Sequence, residues 1–298
     1  MSDSNNKVVK TFSGKLFSDM SHFVNADGLH IFTNCWEPKG DVNFLVCMLH
    51  GFGGHCIRFN ELASYFTEIG GLVFSHDHIG HGESEGSRTT VDDYNKLIRD
   101  TYQHVDIMVE KYPGKPVYIF GQSMGGALAV LAAHAKPTLF KGVILVGPML
   151  LIDPGLQSSF RRVLVKMAAY LLPNVVLTSL PESRGSRDQD EIKISQEDPL
   201  KSCDVKSEMA LQLLRIGEQL EVVMPQFTCP FITLHGGDDS TCSVEASKLI
   251  HRVAKSEDKT LKIYELCRHD LVHELQEDRI KCFTDIQNWL KERLQLNS

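Results

Sequence analysis

The segment 117–135 constrains this chain more than any other. It opens with Val117, Tyr118, Ile119 and Phe120, a β-branched and aromatic run suited to a strand buried on both faces. It closes with the stretch from Met124 to Ala135, which reads as a helix. Between them stands Gly121-Gln122-Ser123-Met124-Gly125. A chain that turns from strand to helix within so few residues must hold the central one in a sparsely populated backbone conformation, and the flanking residues must be small. Gly121 and Gly125 meet that need. The turn carries the Ser123 hydroxyl to the carboxyl edge of a sheet. A strand that feeds a helix in this way needs parallel neighbours and further covering helices.

The rest of the chain supplies them. Apolar runs at 43–49, 71–75, 142–146, 231–236 and 261–264 predict strands. Amphipathic runs at 58–67, 91–112, 244–253 and 279–294 predict helices. The alternation predicts an α/β protein with a mostly parallel central sheet and helices on both faces. All 298 residues form one domain on this reading. One stretch breaks the alternation. Residues 150–225 are helix-rich, with a polar and loop-like middle at 181–199. Phe160, Val163, Leu164, Met167, Ala168 and Leu171 fall on one helical stripe, with Arg161, Arg162 and Lys166 on other faces. Two readings stay open: a helix packed on the sheet, or a lid whose stripe faces substrate or membrane.

Composition removes several classes. With 42% hydrophobic and 23% charged residues the chain is neither disordered nor collagen-like. Acidic residues outnumber basic ones 38 to 31, a net charge of −7, so the chain lacks the global basic surface that phosphate backbones require, and no nucleic-acid partner is expected. Residues 1–14 are polar and lack the apolar run of a secretory signal. The longest apolar stretch, 142–152, is broken by Gly147 and Pro148 and is too short to span a bilayer. The eight cysteines are scattered without a Cys-x-x-Cys pair, which predicts reduced thiols in the cytoplasm.

A serine hydroxyl is a poor nucleophile without a base. In a fold of this type the partners follow the serine in the order acid, then histidine. His76, His78 and His81 come too early, and His235 lies inside a predicted strand. His269 sits in a loop after the last predicted strand and is the preferred base, with His273 as its rival. The acid is expected after strand 231–236, where Asp238 and Asp239 stand side by side. Spacing alone does not choose between them, and position in the loop leans to Asp239. The developing oxyanion needs backbone donors, for which Met124 and Phe52, in the loop His50-Gly51-Phe52-Gly53, are the candidates. That loop has no Lys-Ser or Lys-Thr after its glycines and so is not a phosphate cradle. His50, His55, His76, His78 and His81 are irregularly spaced, and neither a metal nor an organic cofactor is expected.

Over residues 23–294 the chain resembles the monoacylglycerol lipases, which are serine α/β-hydrolases. The matching runs are His50-Gly51 with His55 and Arg58 beyond it, Asp77-His78-Ile79-Gly80-His81-Gly82-Glu83-Ser84-Glu85-Gly86, the turn with its extra Gly126, and Asp258-Lys259-Thr260-Leu261-Lys262-Ile263-Tyr264-Glu265 just before His269. The resemblance implies the α/β-hydrolase fold with an inserted helical cap over 150–225. It implies a triad of Ser123, Asp239 and His269, and oxyanion donors at Phe52 and Met124. It implies hydrolysis of monoacylglycerol esters, with Arg58 and His273 as the substrate-binding candidates. The stripe of the cap, with its basic residues on other faces, allows transient contact with a membrane surface. A lysophospholipase or short-chain esterase would use the same machinery, and a hydrolase-fold protein that only binds lipid is the rival of another class. The family's usual glutamate is replaced here by Gly54, and its second histidine by Val272, with His273 beside it.

Overall fold

A computed structural model describes residues 9–151 and 158–295. The strands of the main sheet are β1 (His22–Val24), β2 (His30–Trp36), β3 (Phe44–Leu49), β4 (Gly71–His76), β5 (Val117–Gln122), β6 (Gly142–Val146), β9 (Phe231–Gly236) and β10 (Lys259–Tyr264), while β7 (Val176–Ser179) and β8 (Asp204–Lys206) form a separate antiparallel pair. The main sheet has the order β1-β2-β4-β3-β5-β6-β9-β10. From β4 to β10 all pairs are parallel, and β1 and β2 are antiparallel additions at one edge.

Side-chain alternation along the strands builds two cores. On one face Leu45, Cys47, Leu49, Phe74, Ile119 and Leu145 pack beneath α2 (Asn95–Lys111), α3 (Met124–Ala135), α6 (Ser207–Val223) and α7 (Val244–Val253). On the other, Val46, Met48, Val73, Phe120, Ile144 and Leu234 pack beneath α1 (Asn60–Glu68) and α8 (Gln276–Leu294). β3 is buried along its whole length because both faces are covered, so it reads as an unbroken apolar run.

The stretch 150–225 lies between β6 and β9. It holds α4 (Ser159–Leu171), β7, α5 (Gln189–Glu197), β8 and α6. Its last helix belongs to the main core, since Met209, Ile216 and Leu220 are buried with α3. α4 touches the body through Val165, which packs on Val205 and Ala210. The predicted stripe turns away: Phe160 is 70% exposed, and Val163, Leu164, Met167 and Leu171 are exposed with it. The middle, expected to be loop-like, contains α5. Asp188 caps this helix by accepting from the Asp190 and Glu191 amides, and only Ile192 and Ser195 are buried on it. A helix with one apolar contact leaves no periodic signal. β1 and β2 also escaped the sequence pattern, because these antiparallel strands mix polar and apolar residues.

Candidate active site

The site is built at the carboxyl ends of β3, β5, β9 and β10. After β5 the backbone of Ser123 takes φ 53° and ψ −121°. Its amide donates to the Val146 carbonyl at 3.1 Å, and its carbonyl accepts from the Gly126, Ala127 and Met149 amides. These bonds hold a conformation that costs on the order of 1–3 kcal/mol. A side chain on Gly121 would come within 2.3 Å of the Gly125 carbonyl oxygen, and one on Gly125 within 2.2 Å of that of Leu49. The turn therefore tolerates only hydrogen at both places.

The loop after β3 runs against the serine. A Cβ placed on Gly51 would be 3.0 Å from Ser123 Cβ. Among the described residues neither the Phe52 nor the Met124 amide donates a hydrogen bond. His50 borders the cavity, but both its ring nitrogens are engaged: Nδ1 bonds the Gly51 carbonyl at 2.8 Å, and Nε2 accepts from the His78 amide at 3.0 Å. His76, His78, His81 and His104 are buried ring against ring behind it. The closest grouping of possible metal ligands among the described residues, Cys267, Glu274 and Asp278, is already held by the Arg187 guanidinium.

The two acidic candidates after β9 separate cleanly. Asp238 is exposed, whereas the Asp239 side chain is fully buried and its Oδ2 lies 2.7 Å from His269 Nδ1. Asp239 Oδ1 accepts from the Thr241 and Cys242 amides at 2.7 and 2.8 Å. Burial works against the Asp239 charge, but hydrogen bonds from His235 and His269 hold its carboxyl well below the usual carboxylate range. Burial also works against a charged His269, yet Asp239, with Asp270 behind it, raises the imidazole above its ordinary value. An ionised carboxylate only accepts, so Nδ1 carries the proton and Nε2 keeps a lone pair.

Ser123 and His269 line one cavity of about 120 Å³ together with Phe52, Gly54, Arg58 and His273. Among the described residues no hydrogen bond yet joins Ser123 Oγ to His269, as is common before substrate binds. Two of its walls were not legible in the sequence. Lys201 and Glu182 come from the insertion and pair at 2.8 Å. Asp270 accepts from Gln122 Nε2 of the tight turn and bonds His273 Nδ1 at 2.8 Å, while His273 Nε2 meets the Arg58 carbonyl at 3.0 Å. Arg58 itself reaches Glu191 at 3.3 Å. Val272 is buried and does not line the cavity. A wider groove of about 870 Å³ between α2, α3 and α6 contains none of these groups.

The segment between β6 and β9 is stitched to the site's rim. The Ser202 amide donates to the Gly53 carbonyl at 3.0 Å, and the Asp270 amide to the Gly185 carbonyl at 2.7 Å. His55 Nε2 meets Asp198 at 2.7 Å.

A serine on a strained strand-to-helix turn, facing a carboxylate-bound histidine across the carboxyl edge of a parallel sheet, defines an α/β-hydrolase. The family model described as serine aminopeptidase, S33, matches residues 40–276. Monoglyceride lipase of Homo sapiens is 40% identical over 278 residues, covering 93% of this chain and 92% of that protein. Its counterpart in Rattus norvegicus is 39% identical over 279 residues, with 93% and 92% covered. The structure of a soluble variant of monoglyceride lipase from Saccharomyces cerevisiae, in complex with a substrate analog, superposes with a TM-score of 0.81 at 23% identity, covering 92% of this chain and 94% of that one. The chain belongs to the monoglyceride lipase family of these serine hydrolases.

Proposed function

We propose that this protein hydrolyses monoacylglycerols to fatty acid and glycerol. The observation that carries the reading is the Asp239–His269 hydrogen bond beside the strained Ser123, in a chain 40% identical to a monoglyceride lipase. Ser123 Oγ attacks the ester carbonyl while His269 Nε2 takes its proton. The Phe52 and Met124 amides, both without another acceptor among the described residues, stabilise the oxyanion. His269 then protonates the departing glycerol oxygen, leaving an acyl-Ser123 ester. A water deprotonated by His269 attacks that ester, and the fatty acid leaves as Ser123 recovers its proton. Asp239 holds the productive tautomer and stabilises the imidazolium without taking the proton. Arg58 and His273 line the cavity, and a glycerol head group would lie against them.

The stretch 150–225 acts as a cap on this reading. The exposed stripe of α4 continues into Leu172, Val175, Val176 and Leu177, a patch suited to the surface of a lipid phase. No helix among the described residues is long and apolar enough to cross a membrane. On this reading the protein works in the cytoplasm and meets lipid by peripheral contact through the exposed stripe of α4.

The test is hydrolysis of a monoacylglycerol series by the purified protein, with release of glycerol and of glycerophosphocholine from a lysophospholipid measured side by side. Ser123→Ala should lower kcat by several orders of magnitude with little change in stability. Retention of more than about a tenth of wild-type turnover, a loss of only ~1.4 kcal/mol, would sink the nucleophile assignment. Faster release of glycerophosphocholine would move the substrate to lysophospholipids.

A further inference from the structure

We propose that His235 is a positioning residue for this reaction, acting through Asp239; this rests on the triad reading above. His235 stands near the end of β9, four residues before the acid, and its side chain is fully buried. Its Nε2 lies 3.0 Å from Asp239 Oδ2 and 3.0 Å from the Cys242 carbonyl oxygen. Both are acceptors, so Nε2 carries a proton. Its Nδ1 lies 2.6 Å from Ser247 Oγ on α7, a hydroxyl that can donate to it. These partners hold the ring in one orientation, with Nε2 toward Asp239 and Nδ1 toward α7.

The consequence falls on Asp239. Its carboxylate accepts from the Thr241 and Cys242 amides on Oδ1 and from His269 on Oδ2, and the single Nε2–H of His235, shared with the Cys242 carbonyl, lies against the same Oδ2. The two amides come from the loop that carries Asp239, so they orient the carboxylate only relative to that loop. His235 belongs to the sheet and is anchored through Ser247 to a helix packed on it. It is the donor that fixes Oδ2 in the frame in which β5 fixes Ser123. Removing it would let the carboxylate rotate away from His269 Nδ1, and the imidazole would lose its hold on tautomer and direction. Because a neutral N–H is all that is required, a side-chain amide of similar reach can replace the imidazole, whereas an apolar group cannot.

The experiment compares His235→Leu, His235→Gln and Ser247→Ala with wild type. It measures kcat and KM on a monoacylglycerol, the pH profile of kcat/KM, melting temperature, and the low-field NMR signal of the His269 Nδ1 proton in the free enzyme. The proposal requires His235→Leu to lose about ten- to a hundredfold in kcat with KM within about twofold, and to displace both the acidic limb and the low-field signal. It requires His235→Gln to recover kcat to within about threefold of wild type with the signal restored. A purely structural role predicts instead that both His235 variants lose activity and melting temperature together with no shift in the acidic limb, and that result would overturn the proposal. Should His235→Leu not fold, Ser247→Ala decides. It preserves the packing but frees the imidazole, so an unchanged signal and unchanged kcat would overturn the proposal, whereas a displaced signal with lowered kcat would support it. Because the signal is read without substrate, loss of the monoacylglycerol reading leaves this test standing.

Discussion

At position 123 one backbone torsion separates a surface serine from a candidate nucleophile, and the residues that enforce it are legible as letters. Gly121 and Gly125 are there because backbone oxygens occupy the space of a side chain. The identity of the acid was less legible, since Asp238 and Asp239 differ by a single position and only the fold buries one of them. Asp270 was missed altogether. It follows His269 directly, and nothing in the letters says that its carboxylate folds back to the Gln122 amide and to His273. Its charge helps to raise the His269 imidazole. A general base works in its neutral form, so activity rises as pH passes upward through its pKa. Asp270→Asn removes one of the charges that favour the imidazolium, lowers that pKa, and should move the acidic limb of the kcat/KM profile to lower pH. A pH series on the variant checks it, and an upward shift would show that Asp270 acts on His269 through something other than its charge.

Among the elements, α4 is the one whose role the pattern left open. Its stripe has the spacing of any core helix, and the same residues would serve a buried face or a lipid-facing one. The structure places Phe160, Val163, Leu164 and Met167 outward, and among the described side chains of the helix it buries Val165 and Ala169. A charge placed on an exposed face removes no packing. Met167→Asp should therefore leave the melting temperature within about 2 °C of wild type. Binding to phospholipid vesicles and turnover of long-chain monoacylglycerols should fall, with a short soluble ester spared. Because each buried methylene is worth ~0.8 kcal/mol, the deficit should grow with acyl length. Co-sedimentation with vesicles and a chain-length series on one preparation check it. Equal loss on every ester together with a lowered melting temperature would return α4 to the core. α5 shows the opposite limit, a helix made by its Asp188 cap rather than by an apolar face.

In the whole molecule, the sheet sets the ends of β3 and β4 side by side against α2, and with them a buried layer of histidines. Burial lowers the pKa of His50, His76 and His78 well below the ordinary imidazole value, that of His81 to about 4 and that of His104 to about 3. Their folded pKa values are depressed, so the unfolded chain binds protons first as pH falls. The stability they contribute is complete above the unfolded value of about 6.5 and is lost progressively as pH falls toward 4 and 3. Each such group costs about 1.4 kcal/mol per pH unit inside that window. Urea unfolding between pH 7 and 5 should show a steep loss of stability, and His104→Phe should make the slope shallower. An unchanged slope in that variant would show that His104 does not drive the acid sensitivity.

What the sequence determined by itself is what short-range sterics and periodicity control. The strand-to-helix turn at Ser123, the parallel run of strands and the loop that carries His269 follow from residue size, alternation and spacing, which do not need the rest of the chain. Tertiary structure decided every relation between segments distant in the chain: Asp239 over Asp238 for His269, His235 against the same carboxylate, Lys201 and Glu182 in the cavity wall, and the outward face of α4. Those depend on which side chains the sheet order places within hydrogen-bond reach and on which faces other elements cover. A hydrogen bond acts over about 3 Å, whereas Asp239 and His269 are joined only because β9 and β10 lie side by side.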